Sequence, residues 1–398
     1  MDHEVLIVGG GVVGLSTALH LARRTAVDVA VVEKEHHLAS HQSGRNSGVL
    51  HPGFNYEPGS MKAEFATEGT ARMKAYCRKN DIPLREFGVV VSALDHEEER
   101  RLETLKSQAE ANGAKAEIIG EDELGDREPH ARGRAALYAP EAASVDSQQY
   151  VYQLARDAQS EGVDLYLGTE VKRIGRHDGG YRVATTHGPL DASFLVNAAG
   201  LYADELAEQV GVGSEYQIVP FRGEYYELVP DRRSLVNTMI YPTPDPELPF
   251  LGVHYTRRTD DKVIIGPNAV LAFGREAYEN TDFDLRELGE TVQYEGLWKL
   301  LASPKMLRVA GEELHKSYRK ERFVRAAQRL VPSVTADDVV KSYAGIRAQI
   351  VRDDGTLIKE PLFVDDDDAI HVLNAVSPGL TASLPFGDHL AGRVESAF

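Results

Sequence analysis

Val5-Leu6-Ile7-Val8-Gly9-Gly10-Gly11-Val12-Val13-Gly14 opens the chain and decides how the rest is read. The apolar run Val5 to Val8 reads as a buried strand. It feeds a G-x-G-x-x-G spacing at Gly9, Gly11 and Gly14. Leu15, Ala18, Leu19 and Ala22 then recur at three and four, as on one face of a helix, and Val27 to Val32 gives a second strand ending in Glu33. Each part of this βαβ unit has a physical use. Gly9 permits the tight turn, Gly11 lets a pyrophosphate reach the backbone, and Gly14 lets helix and strand pack closely. The helix N-terminus faces phosphate, and Glu33 can accept hydrogen bonds from a ribose diol. An acid here favours an adenosine ribose without a 2′-phosphate.

Working outward, residues 34–60 form a polar, Gly-rich loop holding Ser40-His41-Gln42-Ser43-Gly44-Arg45-Asn46-Ser47-Gly48-Val49-Leu50-His51. Such a loop can wrap a long cofactor, with Ser43, Arg45 and Asn46 offering donors to phosphate or ring oxygens. His51 stands where the loop re-emerges beside the cofactor's reactive end, or is a hydrogen-bonded loop histidine. Helices are expected over 61–80, 97–112, 146–160, 284–303 and 312–330, and 120–145 reads as a connecting stretch. Asp178-Gly179-Gly180 marks a turn between strands 171–174 and 181–184. Phe194 to Asn197 runs as a strand into Ala198-Ala199-Gly200, a second close approach to the cofactor. From Val219 the texture changes: 219–228, 236–240, 251–256 and 262–266 are short, rich in β-branched and aromatic residues, and read as a largely antiparallel sheet. A strand over 339–346 is followed by Arg347, and 370–373 leads into Ser377-Pro378-Gly379-Leu380-Thr381. The fold expected is α/β, α+β in part. A Rossmann-like domain made of 1–90, 140–218 and 345–398 carries an inserted, mostly antiparallel substrate domain made of 91–139 and 219–344.

Composition excludes several classes. The 398-residue chain has one cysteine, Cys77, which rules out intramolecular disulfides and cysteine-rich metal or iron–sulfur sites. Its 62 acids outnumber 44 Lys and Arg, a formal charge of -18 that opposes non-specific nucleic-acid binding. The same acidity suits a high-salt cytosol or reflects genome composition. No run of eighteen apolar residues occurs, so no transmembrane segment is expected, and the early first strand leaves no room for a signal peptide. A cytoplasmic location is the expectation, with peripheral contact at the inner face of the membrane left open. Oligomeric state is not legible.

Five separated stretches, in order, carry a family resemblance: His41 to His51, Pro220-Phe221-Arg222-Gly223-Glu224-Tyr225-Tyr226, Leu251-Gly252-Val253-His254-Tyr255-Thr256, Tyr343-Ala344-Gly345-Ile346-Arg347-Ala348-Gln349, and Ser377 to Ser383. Together they resemble the FAD-dependent D-amino-acid oxidase and glycine oxidase superfamily, and within it the L-2-hydroxyglutarate dehydrogenase or oxidase family. The resemblance implies FAD as cofactor and no metal. It implies a small dicarboxylate as substrate, oxidised at its hydroxyl-bearing carbon with hydride passing to flavin N5, and a quinone, dioxygen or another acceptor for the electrons. Candidate cofactor contacts are then Gly9, Gly11, Gly14, Glu33, Lys34, Ser43, Arg45, Asn46, Ser47, Gly48, Val171, Ala199, Gly200, Gly345, Gly379, Leu380 and Thr381.

A dicarboxylate needs a cation beside the flavin. Arg347 matches the arginine that grips the substrate carboxylate in the amino-acid oxidases, and its planar fork suits that task. Alcohol oxidation also needs a base for the hydroxyl proton, and histidine titrates in the right range. His254 is the first candidate, with His51 its competitor. Tyr225, Tyr255 and Arg222 are candidates for the distal carboxylate, although Arg222 can equally be a structural residue at a domain junction. An amino-acid or amine oxidase on the same scaffold, an NAD-dependent dehydrogenase, and a flavin-bearing assembly protein remain the alternatives.

Overall fold

The computed structural model describes residues 1–246, 251–302, 304–375 and 377–398. Its first layer is an eight-stranded sheet. The parallel centre runs, in spatial order, Ala369–Asn374, Gly188–Asn197, His3–Val8, Val29–Val32 and Asp164–Tyr166. The four apolar residues of Val29–Val32 are all buried, as expected of a parallel strand covered on both faces. The hairpin Val171–His177 and Gly180–Thr185 extends one side. Asp178 and Gly179 both take positive φ (45° and 78°), the condition for a tight two-residue hairpin turn. Helices Val12–Arg24, Met61–Lys79, Ser147–Ser160 and Ser383–Glu395 share one apolar core with this sheet.

The second layer is a nine-stranded sheet. Val339–Arg352 runs antiparallel along Tyr216–Leu228, and Val263–Gly266, His254–Arg257 and Met239–Pro242 continue outward. Val89–Ala93, Ala135–Ala139 and Glu117–Gly120 follow, and the short Val270–Leu271, paired with Tyr216–Leu228, completes it. Residues 120–145, expected as a connector, thus contain helix Glu121–Arg127 and strands Ala135–Ala139 and Ala143–Val145. The alanine-rich Ala135-Ala136-Leu137-Tyr138-Ala139 has weak intrinsic strand preference and is recruited by pairing with Val89–Ala93. The expected boundaries at 90 and 345 both fall inside strands of this sheet, and Arg347 lies within Val339–Arg352 rather than after it. The expected 284–303 helix is divided into Leu285–Gln293 and Glu295–Leu301, with residue 303 outside the described residues. Helices Pro304–Tyr318 and Lys320–Ala327 follow. Among the described residues no helix is long and apolar enough to cross a membrane.

Candidate active site

A cavity of about 820 Å³ lies between the two sheets, and the N-terminal glycines form one wall. Gly9 adopts φ 113°, closed to other residue types at low cost, and a Cβ there would strike the Ala198 carbonyl. A Cβ on Gly14 would strike the Gly9 carbonyl. The backbones of the first strand, the first helix and the Ala198–Gly200 turn are therefore drawn together. Gly11 stands at the N-cap of the helix with no side chain to cap it. Ser43 supplies what Gly11 lacks, its Oγ accepting the Val12 N–H at 3.0 Å and keeping its own proton for a ligand. Glu33 accepts the Gly10 N–H on Oε2 at 2.8 Å and the Glu35 N–H on Oε1 at 3.0 Å. Each oxygen keeps a lone pair for a ribose hydroxyl.

The loop expected to wrap a cofactor does line the cavity from Ala39 to Ser47, but its side chains are largely spent on the protein. Asn46 Nδ2 donates to the Gln42 and Ser43 carbonyls, and its Oδ1 accepts the Gly48 N–H, so Asn46 shapes the loop instead of offering donors. Arg45 donates to the Ser40 carbonyl at 2.8 Å and lies over the Tyr278 ring, and Tyr343 donates to the Asn46 carbonyl at 2.7 Å. Lys34 pairs with Glu276 and lies over Tyr202. Gly345 lets the long strand meet this loop, since a Cβ would strike the Arg45 carbonyl. Gly48 sits behind the lining, against Val145. Val171, Ala199, Gly200, Gly379, Leu380 and Thr381 all line the cavity, and Thr381 Oγ1 also accepts the His51 N–H at 3.2 Å.

At the other end the walls change character. His51, Tyr241, His254, Tyr225 and Arg347 line the same cavity. Tyr241 joins the two histidines, its ring centre 4.3 Å from His254 and 6.0 Å from His51. His254 Nδ1 donates to the Gly252 carbonyl at 2.9 Å, because a carbonyl can only accept; this places the ring proton on Nδ1 and leaves a lone pair on Nε2. Burial pulls the His254 pKa down to about 4; the Gly252 contact works against it, while His51 and Arg347 add to the depression. Burial, with Lys62 nearby, brings His51 to about 4 as well. Burial also lowers the Arg347 pKa, while Tyr225 and Glu313 work the other way. Tyr225 sits where the ladder between Tyr216–Leu228 and Val339–Arg352 shifts register, and it stacks on Tyr343 with ring centres 4.8 Å apart.

Two expected site residues belong elsewhere, and strand alternation explains both. Tyr255 follows His254 and points to the opposite face, fully buried in the core, where its hydroxyl donates to the Ala327 carbonyl at 3.1 Å. Arg222 precedes cavity-lining Gly223 and is buried away from the cavity. It donates to the Ala277 and Glu279 carbonyls and to Asn280, and lies 3.3 Å from Glu224. Sequence reading overlooked Tyr241, Asn55, Tyr56 and Lys62, all of which line the cavity. Tyr241 was within reach, since a strand was expected over 236–240; Asn55, Tyr56 and Lys62 carry no local signal.

A glycine-built phosphate cradle continuous with a buried histidine and arginine pocket, roofed by an inserted sheet, defines an oxidoreductase built around a dinucleotide cofactor. The profile of the family described as FAD dependent oxidoreductase matches residues 4–393. L-2-hydroxyglutarate dehydrogenase of Escherichia coli (strain K12) is 38% identical, over 99% of this chain and 93% of its own. That of Indibacter alkaliphilus is 39% identical over 97% of both, and the mitochondrial enzyme of Caenorhabditis elegans 37% over 100% and 94%. Among solved structures, the L-alpha-glycerophosphate oxidase of Mycoplasma pneumoniae with FAD bound superposes with a TM-score of 0.78 at 24% identity, covering 99% of this chain and 94% of the other. Glycine oxidase from Geobacillus kaustophilus gives 0.74 at 23%, covering 99% and 95%. The chain belongs to the FAD-dependent oxidoreductase family and, within it, to the L-2-hydroxyglutarate dehydrogenases. FAD is its cofactor, and the glycine cradle, the helix N-terminus and the spare acceptors on Glu33 fit its pyrophosphate and ribose.

Proposed function

We propose that this protein oxidises L-2-hydroxyglutarate to 2-oxoglutarate. The observation that carries the reading is His254: its tautomer is set by the Gly252 carbonyl, which leaves Nε2 unprotonated, and it lines the cavity that also holds Arg347 and the nucleotide cradle. Bound FAD supplies the hydride acceptor. The chain supplies the rest. Arg347 grips the carboxylate next to the reacting carbon, Tyr225 offers a hydrogen bond, and His254 Nε2 takes the hydroxyl proton. Burial is the main cause that depresses His254 and Arg347 adds a smaller repulsion; a substrate with two negative charges opposes that repulsion, so binding makes the base stronger. His51, joined to His254 through Tyr241, contacts flavin or substrate. Gly9, Gly11, Gly14, Glu33, Ser43 and Thr381 belong to the cofactor unit, and strands 216–228 and 254–266 to the substrate unit.

Peripheral association with a membrane, and a quinone there as electron acceptor, is supported by exposed apolar side chains in a basic segment. Leu285, Trp298, Leu307, Leu314 and Tyr318 are exposed on the helices between strands Val270–Leu271 and Val339–Arg352. Residues 297–326 carry eight Lys and Arg against three acids in a chain of net charge -18. Exposed apolar side chains beside basic ones suit the surface of an anionic leaflet. Trp298 is the only tryptophan, so its fluorescence should shift to the blue with anionic vesicles and stay unchanged with neutral ones.

The substrate assignment is tested by product analysis. Holoenzyme should form 2-oxoglutarate from the L-hydroxyacid and leave the D-isomer and L-glutamate unreacted. Preferential turnover of L-glutamate would support the amino-acid oxidase reading.

A further inference from the structure

We propose that Lys62 is the second carboxylate anchor of the pocket, holding the end of the substrate remote from Arg347 and so selecting a dicarboxylate over a monocarboxylate of equal length. The inference rests on the substrate reading above and adds the group that reads the second charge. Lys62 stands in the first turn of helix Met61–Lys79, whose N-cap Ser60 accepts the Ala63 N–H. It lines the cavity together with His51, Asn55, Tyr56 and Tyr241. Its ammonium makes one long hydrogen bond, 3.4 Å to the Lys359 carbonyl, and lies 5.1 Å from the centre of the Tyr56 ring. Among the described residues no carboxylate lies within 4.0 Å of it. Glu360 acts on the ammonium through its charge alone, working against the effect of burial, while its Oε2 accepts the Lys62 backbone N–H at 3.1 Å.

A half-buried ammonium that meets no carboxylate directly is only partly satisfied, and a substrate carboxylate would complete it. Burial does push this ammonium below the usual lysine range. The two cations act on different members of the pocket. The charge of Arg347 bears on His254, and that of Lys62 bears on His51. The two histidines flank Tyr241 at 4.3 and 6.0 Å between ring centres. Both cations line the cavity that holds this three-ring shelf, and a five-carbon diacid is a chain with one charge at each end.

The test is Lys62→Met holoenzyme compared with wild type on L-2-hydroxyglutarate and on L-2-hydroxypentanoate, which carries a methyl group in place of the distal carboxylate. The variant should keep its FAD. Its kcat/KM for the diacid should fall roughly 10- to 100-fold, the value of a charged hydrogen bond, with little change for the monoacid. Lys62→Arg should recover much of the loss. Titration of each holoenzyme with glutarate and with pentanoate, followed by the flavin spectrum, gives the same comparison without turnover: glutarate should weaken in Lys62→Met and pentanoate should not. Equal losses for both acids, or no loss for either, would overturn the assignment. Wild-type enzyme inert toward L-2-hydroxyglutarate would instead defeat the substrate reading, before any variant is compared.

Discussion

The nucleotide end of the cavity is built from backbone. Gly9, Gly14 and Gly345 bring main chains together, and Ser43 and Glu33 bind N–H groups of the first helix and its preceding turn. The other end, the proposed reacting end, is built from side chains carried by separate segments: His51 after the wrap loop, and Tyr241, His254, Tyr225 and Arg347 on four strands of the second sheet. The difference teaches where each kind of damage should show. Changes at the first end should cost cofactor and fold. Changes at the second should leave a yellow protein that reacts slowly.

Gly14→Val offers the harshest trial of the first half. The new side chain would collide with the Gly9 carbonyl, and neither backbone can yield without parting strand from helix. Loss of bound FAD and of soluble protein is expected, as measured by flavin per chain after purification. A soluble, flavin-replete Gly14→Val protein would show that the close approach is dispensable.

His254→Gln tests the second half. FAD content should match wild type, while the rate of flavin reduction by substrate should fall about 100- to 10,000-fold, the range for loss of a general base. A wild-type rate would transfer the role to His51. Arg347→Lys keeps the charge and loses the planar fork. Its kcat/KM should drop with a raised KM by about 10- to 100-fold, as expected for a charged hydrogen bond of ~1.5–3 kcal/mol. Flavin content should not move.

The difference between the two ends also governs what the sequence revealed. The nucleotide end is local: strand, glycines, helix and acid follow one another within residues 5–33, so spacing alone carries the chemistry. The turn at Asp178-Gly179 was legible for the same reason. The reacting end depends on register. His254 and Tyr255 are neighbours in sequence, and only the pleat of a strand whose inner face is unknown in advance separates the pocket residue from the core residue. Arg222 and Gly223 pose the same problem. Asn46 and Arg45 were recognised as loop donors, yet which acceptors they meet depends on how the loop folds against Val339–Arg352. Lys62 is brought to the pocket by a helix packed from elsewhere, and nothing in its neighbours announces it.

Smaller effects come from pH and salt. Burial lowers His51, His254 and His371 from 6.5 to about 4. Above pH 6.5 these groups are neutral in both folded and unfolded chains. Below it the unfolded chain takes up protons that the folded one refuses, so stability should fall between about pH 6.5 and 4, by up to about 3 kcal/mol per ring. Denaturant titrations across that range would check the slope, and His254→Gln should flatten part of it. A pH-independent stability would mean that these rings are hydrated in solution. Smallest is the effect of salt: with a net charge of -18, thermal stability should rise from low to molar KCl if the acidity is a salt adaptation. A flat profile would mark it as compositional.

The most direct measurement is anaerobic mixing of the purified flavoprotein with L-2-hydroxyglutarate, following the visible flavin absorbance, with D-2-hydroxyglutarate, L-glutamate and glycine as controls. The account predicts bleaching by the L-hydroxyacid alone, lost from wild type to His254→Gln in rate and not in flavin content. Bleaching by an amino acid and not by the hydroxyacid would contradict it, and with it the roles given to His254, Arg347 and Lys62.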